Sequence, residues 1–107
     1  MWRGHEIGGH SSGLVYMIFS GDHLEYRGAN PQEWNKGTFT VNQSTKPKQL
    51  TAVISDCPAP QYVGKKVNAI YQIENGKLTV TGNEPGNPEV PASFDTPDAR
   101  RFELEKQ

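Results

Sequence analysis

The sequence has little that would support a disulfide framework, a membrane span or an attraction to nucleic acid. Cys57 is the single cysteine among 107 residues, so no internal disulfide can form and the fold depends on packing. Every apolar run is far shorter than the roughly 20 residues that cross a bilayer as a helix. A formal charge of −1 gives no attraction to polyanions. We therefore expect no nucleic-acid partner and no membrane insertion.

The first residues also lack the basic segment followed by an apolar run that marks a secretory signal peptide. The chain as it stands is expected to be soluble, with no signal peptide. Its compartment stays open, because a leader removed before Met1 would leave no trace and the parent protein could then be an exported one.

Turn-forming residues are abundant, with 11 glycines and 8 prolines, while the hydrophobic fraction is 34%. This composition favours short strands between many turns over long helices. The length suits one domain, 1–107, around one modest core. We expect an all-β domain.

Residues 70–80 predict a β-hairpin, because two alternating runs meet at Asn75 and Gly76. This pair tolerates the positive φ angles of a two-residue type I′ turn. The turn places Ile73 opposite Leu78, and side chains with period two then divide into a core face and a solvent face. The predicted core face is Tyr71, Ile73, Leu78 and Val80; the predicted solvent face is Gln72, Glu74, Lys77 and Thr79.

Residues 14–27 predict a second hairpin around Gly21 and Asp22. Its core face is Val15, Met17, Phe19, Leu24 and Tyr26. The opposite face carries Leu14, Tyr16 and Ile18, which is unusually apolar for a solvated surface. A loop, a terminus or a partner should cover it, and self-association through these three residues is one possibility.

The rest of the chain supplies further short strands with one inward face each. Inward positions are predicted at Phe39, Val41, Leu50, Ala52, Ile54, Phe102 and Leu104. Another strand is predicted over Trp2 to Ile7. Residues 28–36 are predicted as a loop or a short helical turn, and residues 56–66 and 82–101 as loops. About eight strands joined in sequence can close into an antiparallel up-and-down barrel. A β-sandwich is the alternative, because periodicity does not distinguish the two.

Several motifs in order resemble a lipocalin-like domain family of uncharacterised environmental bacterial proteins of planctomycete or acidobacterial type. They are GTF at 37–39, KPK at 46–48, GKKVNAIYQIENGKLTV from Gly64, the stretch at 91–94 and L-x-K at 104–106. The resemblance implies a small barrel related to lipocalins. It also implies that Trp2 packs across the closed end beside a basic side chain of the last strand, Lys106 or in its place Arg101. The family has no established activity, and many members carry export signals.

The stretch HEIGGH suggests metal ligands, since His5, Glu6 and His10 have the right donor atoms. Two glycines exclude the helical H-E-x-x-H arrangement, and a strand would turn His5 and Glu6 to opposite faces. We therefore expect no metal site and no cofactor.

Residues suited to catalysis are isolated in the sequence. Cys57 has no nearby histidine to activate it, and the carboxylates are scattered without the paired placement of an acid–base site. No catalytic residue is assigned, and an enzyme ranks third among the functional hypotheses.

The leading hypothesis is a non-catalytic module that binds a small apolar or amphipathic ligand in the mouth of the barrel. The predicted ligand-binding residues are Met17, Phe19, Tyr26, Phe39, Tyr71 and Val80, with Trp34 as a cap. The alternative is a structural or protein-interaction domain with a filled core. An open pocket of a few hundred Å³ would favour the first hypothesis, and a packed interior the second.

Overall fold

A computed structural model describes residues 1–8, 13–96 and 99–107. In these three segments, eight strands pair in sequence order and β8 pairs with β1, which closes an antiparallel barrel. The strands are β1 Trp2–Ile7, β2 Val15–Ser20, β3 His23–Arg27, β4 Trp34–Asn42, β5 Lys48–Asp56, β6 Lys66–Glu74, β7 Lys77–Gly82 and β8 Arg100–Lys106, with a 3-10 turn at Pro60–Tyr62. The all-β barrel prediction is confirmed over the β-sandwich. No helix in the described segments is long and apolar enough to cross a membrane.

The two predicted hairpins form with the predicted register. Asn75 and Gly76 have φ angles of 54° and 75°, as a type I′ turn requires, and Ile73 lies opposite Leu78. In the other hairpin, Phe19 pairs with Leu24. The turn chemistry therefore fixes the pairing of β6 with β7 and of β2 with β3.

The barrel closes where β1 pairs with β8, from Trp2 opposite Lys106 to Ile7 opposite Arg101. Gly4 allows the two strands to approach closely, because a Cβ there would lie 1.9 Å from the Glu103 carbonyl oxygen. The expected strand pairing is confirmed, but among the described residues Trp2 makes no cation–π contact with Lys106 or Arg101. Trp2 packs against the core, while Lys106 is exposed at the end of the barrel.

Two predicted core residues lie at the rim instead. Ile73 is 58% exposed and Val41 is 43% exposed. Strand β5 pairs with β6 only as far as Tyr71, so Ile73 projects beyond the end of its neighbour. Similarly, β3 pairs with β4 only as far as Thr38, and Val41 lies past that point. Alternation gives the correct face, but burial also needs a neighbouring strand.

The outer face of β7 is covered, although Thr79 was predicted to face water. Thr79 is 7% exposed and Thr81 is fully buried at 0%. The segment after β7 lies over this face, since the Thr81 hydroxyl donates a 3.0 Å hydrogen bond to the Phe94 carbonyl. Asn68 on β6 donates a similar 3.0 Å bond to the carbonyl of Asn87. The proline-rich loop therefore acts as an outer layer.

The loop predicted over residues 28–36 is shorter than expected, because β4 already begins at Trp34. An Asn30 side-chain oxygen accepts a 2.9 Å bond from the Gln32 amide, which is typical of an Asx turn. Trp34 then pairs with Arg27 on β3. This pairing orients the tryptophan away from the barrel interior.

Candidate functional site

A cavity of about 150 Å³ lies inside the barrel, towards the end where β4, β6 and β8 begin. Its walls are mostly apolar, and the exposed residues Lys36 and Arg100 stand where it meets solvent. The principal wall residues are Met17, Phe19, Leu24, Tyr26, Leu50, Ala52, Ile54, Val67, Ala69, Val80 and Phe102. A small molecule with an apolar body could enter from this end.

The glycine of the GTF motif shapes this end of the cavity. The pairing of β4 with β5 shifts between Lys36 and Gly37, as at a β-bulge. A Cβ at Gly37 would lie 2.0 Å from the Val53 carbonyl oxygen. Only glycine therefore permits the close approach of β4 and β5 beside the opening.

Four of the seven predicted ligand-binding residues line the cavity, namely Met17, Phe19, Tyr26 and Val80. Phe39 packs edge-on against Phe19 at 5.1 Å between ring centroids. Tyr71 is buried in the core, 9% exposed, but is not part of the cavity wall.

Trp34 lies outside the barrel and does not cap its mouth. It lines a separate outer cleft with Arg27 and Glu33, and the Lys36 amine lies 5.7 Å from the centroid of its ring. The sequence could not exclude a cap, because placing Trp34 in a loop left its direction undetermined.

The cavity mouth contains an ion pair that the sequence analysis missed. Arg100 donates from Nε and Nη2 to the two Glu6 carboxylate oxygens at 2.9 Å and 2.8 Å. Glu6 is buried, with 1% of its side chain exposed, whereas 47% of the Arg100 side chain is exposed. The alternation of side chains along a strand would have indicated that both residues face inward. Glu6 follows the inward Gly4 by two residues, and Arg100 precedes the inward Phe102 by two. An acidic residue at an inward position needs a cation partner.

Arg100 also joins the ion pair to the aromatic wall. Its Cζ lies 5.1 Å from the centroid of Phe102 and 5.9 Å from that of Tyr26, within cation–π range. Its Nη2 is 3.5 Å from the Tyr26 hydroxyl. The two rings meet edge-on at 5.5 Å. The guanidinium is therefore held in place on two sides.

The surroundings fix the protonation states of these two residues. Burial raises the pKa of Tyr26, although the nearby Arg100 charge opposes this effect. The hydrogen bonds to Glu6 raise the pKa of Arg100. At neutral pH the mouth therefore presents a phenol and a guanidinium, which can donate hydrogen bonds to a guest.

Among the described residues, none of His5, His23 and Cys57 lines this mouth. His5 is exposed, and its Nδ1 lies 3.2 Å from the Gly13 carbonyl oxygen. Glu6 is buried, so the two side chains lie on opposite faces, as the alternation predicted. His10 lies outside the described residues. Within the described part of the chain, no three His, Cys, Asp or Glu residues are placed to hold a metal ion. Cys57 is half-buried, and its thiol donates to the Ala59 carbonyl at 2.9 Å.

The apolar stripe on β2 faces outward, as predicted. Leu14 is 40% exposed, and Tyr16 and Ile18 are half-buried. Tyr16 lies between Arg3 on β1 and Arg27 on β3. Long arginine stems commonly cover apolar surface, and both of these arginines flank Tyr16 on neighbouring strands.

No family model, curated protein or solved structure matches the chain. The barrel fold is therefore assigned from the strand pairing of this structure alone. The resemblance to the lipocalin-like bacterial family stays a prediction.

Proposed function

We propose that this protein is a non-catalytic module that binds one compact apolar or amphipathic molecule inside its barrel. The observation that supports the proposal is the cavity of about 150 Å³ with apolar walls and a polar mouth. It is smaller than the pocket of a few hundred Å³ expected from the sequence, but the interior is not fully packed either. An engineered cavity of about 150 Å³ lined by Leu, Ile and Phe takes up benzene. Pockets for drug-sized ligands are larger, roughly 300 to 1,000 Å³. The expected ligand is thus about the size of one ring with a short substituent.

The wall and the mouth have different roles in this proposal. Met17, Phe19 and Val80 provide apolar contact for the body of the ligand, and burying that surface supplies the main driving force. Tyr26 and Arg100 meet its polar end. We include in the proposal that the chain is a lipocalin-like protein of bacterial type, on the order of its GTF, KPK and later motifs.

Calorimetric titration with ethylbenzene tests this function. Ala52 lines the cavity, so Ala52→Phe should fill it and abolish binding, with Ala52→Leu as a smaller replacement if the larger ring prevents folding. Thr40→Phe is the matched control, because Thr40 is exposed on the outside of β4. Saturable binding to the wild type and Thr40→Phe, lost in the Ala52 variants, would support the proposal. No binding to the wild type would refute it.

A second candidate, a protein-interaction module, is favoured by the outward stripe of Leu14, Tyr16 and Ile18. Sedimentation over a range of concentrations would detect self-association through this stripe. Leu14→Asp should then abolish it, whereas Val63→Asp should not, since Val63 is similarly exposed at 47% but lies between β5 and β6, away from β2. A wild type that stays monomeric at every concentration would exclude self-association.

A further inference from the structure

Arg100 retains hydrogen-bonding capacity that the described residues of the barrel do not use. A guanidinium carries five N–H donors, and those of Nε and Nη2 engage Glu6 and approach Tyr26. Nη1 makes no hydrogen bond to any residue in the described segments. Since 47% of the side chain is exposed at the cavity mouth, Nη1 is available to a guest. The site can therefore donate to an acceptor on a ligand.

The positive charge of Arg100, in contrast, is already balanced. Glu6 accepts two hydrogen bonds from it and is almost fully buried, with 1% of its side chain exposed. The second cation at the mouth, Lys36, has its amine over the outward Trp34 ring, 5.7 Å from the ring centroid. Among the described residues, Glu6 therefore offsets the charge that Arg100 presents to a guest.

This balance discriminates between classes of ligand. A carboxylate would lose its hydration on entry. Its negative charge would also be repelled by that of Glu6, which is bound to the same guanidinium. A carbonyl or ether oxygen loses much less hydration and still accepts from Arg100. We infer, building on the proposed binding function, that the barrel selects a compact apolar molecule bearing a neutral hydrogen-bond acceptor and discriminates against a carboxylate of the same size.

Three probes of similar size test the inference by calorimetry at neutral pH. Ethylbenzene has no acceptor, acetophenone has a neutral acceptor and benzoate is an anion. Acetophenone should bind about tenfold more tightly than ethylbenzene, as expected for one hydrogen bond to a charged donor. It should also bind at least about tenfold more tightly than benzoate, because the anion loses more hydration.

Removing the counter-charge should reverse the discrimination against the anion. Glu6→Gln keeps an acceptor beside Arg100 but leaves one surplus positive charge, so benzoate affinity should rise by about tenfold. Acetophenone affinity should change by less than about threefold, since its oxygen is neutral. The double variant Glu6→Gln with Arg100→Met removes both charges and the guanidinium donors together, which avoids leaving one charge buried without its partner. It should lose most of the preference for acetophenone over ethylbenzene.

The outcomes separate this inference from the binding function. Benzoate as the tightest wild-type ligand, or equal affinities for acetophenone and ethylbenzene, would overturn the inference while binding stood. Unchanged benzoate affinity in a folded Glu6→Gln variant would also overturn it. If none of the three probes bound the wild type, the proposed function would fail, and the inference with it.

Discussion

Leu104→Ala should destabilise the barrel strongly, because Leu104 is 1% exposed and lies opposite both Gly4 and Leu78. The substitution removes about three methylene equivalents, or roughly 2.4 kcal/mol of transfer free energy at about 0.8 kcal/mol each. A residual cavity of about 50 Å³ would add about 1.2 kcal/mol at roughly 24 cal/mol per Å³. Gly4 has no side chain to fill the space, so we expect little relaxation and a total near 3.5 kcal/mol.

Urea unfolding measures this loss directly. With an m-value near 1.5 kcal/mol/M, the midpoint should fall by about 2 M. Leu14→Ala is the control, because Leu14 is 40% exposed and should cost less than about 1 kcal/mol. A loss below about 1 kcal/mol for Leu104→Ala, at an unchanged m-value, would show that Leu104 does not pack in the core described above.

Three further predictions concern closure, the rim and pH. Deleting residues 1–7 should expose the edges of β2 and β8 and cause aggregation; a truncated chain that stays monomeric and unfolds cooperatively would contradict closure. Ile73→Thr should cost much less in urea unfolding than Leu78→Thr, since their exposed fractions are 58% and 3%, and equal costs would argue against the rim position of Ile73. The pKa of Tyr26 is raised above its ordinary 10.0, so the contribution of this phenol to stability is complete below pH 10 and is lost as the pH rises through the folded-state pKa. Tyr26→Phe should therefore reduce the loss of unfolding free energy at alkaline pH. An identical dependence of unfolding free energy on pH in the variant would count against a buried phenol.

The hairpins could be predicted because their information is local. Asn75 and Gly76 specify a turn, the turn specifies the register, and period-two alternation then assigns faces. Closure was also predictable in outline, since strands joined in sequence leave the first and last as the only free edges.

Burial was harder to predict, because it depends on neighbours distant in the sequence. Ile73 and Leu78 share a face and a cross-strand pair, yet only Leu78 is covered, because β8 flanks it while β5 ends before Ile73. Thr81 looks like a solvent position until the loop after β7 folds over it. The length of a neighbouring strand and the path of a loop leave no local sequence pattern from which burial could be predicted.

The cavity mouth was partly predictable. Met17, Phe19 and Val80 follow from alternation alone. Glu6 and Arg100 are 94 positions apart, and they meet only because β1 and β8 pair. Alternation along β1 places Glu6 inward, and barrel closure places β8 beside it. Together these two facts would have predicted a cation at the start of β8.

The proposed function requires that a small molecule occupies the barrel at the end where Arg100 lies. Methyl-resolved NMR during a titration with acetophenone would locate the bound molecule. Ala52, Ala69 and Val80 line the cavity and should shift saturably with one common dissociation constant. Leu78 and Leu104 belong to the core but are not part of the cavity wall, and their methyl resonances should shift little. Unchanged Ala52 and Val80 resonances, or shifts confined to outer methyl groups such as Leu14, would contradict the account.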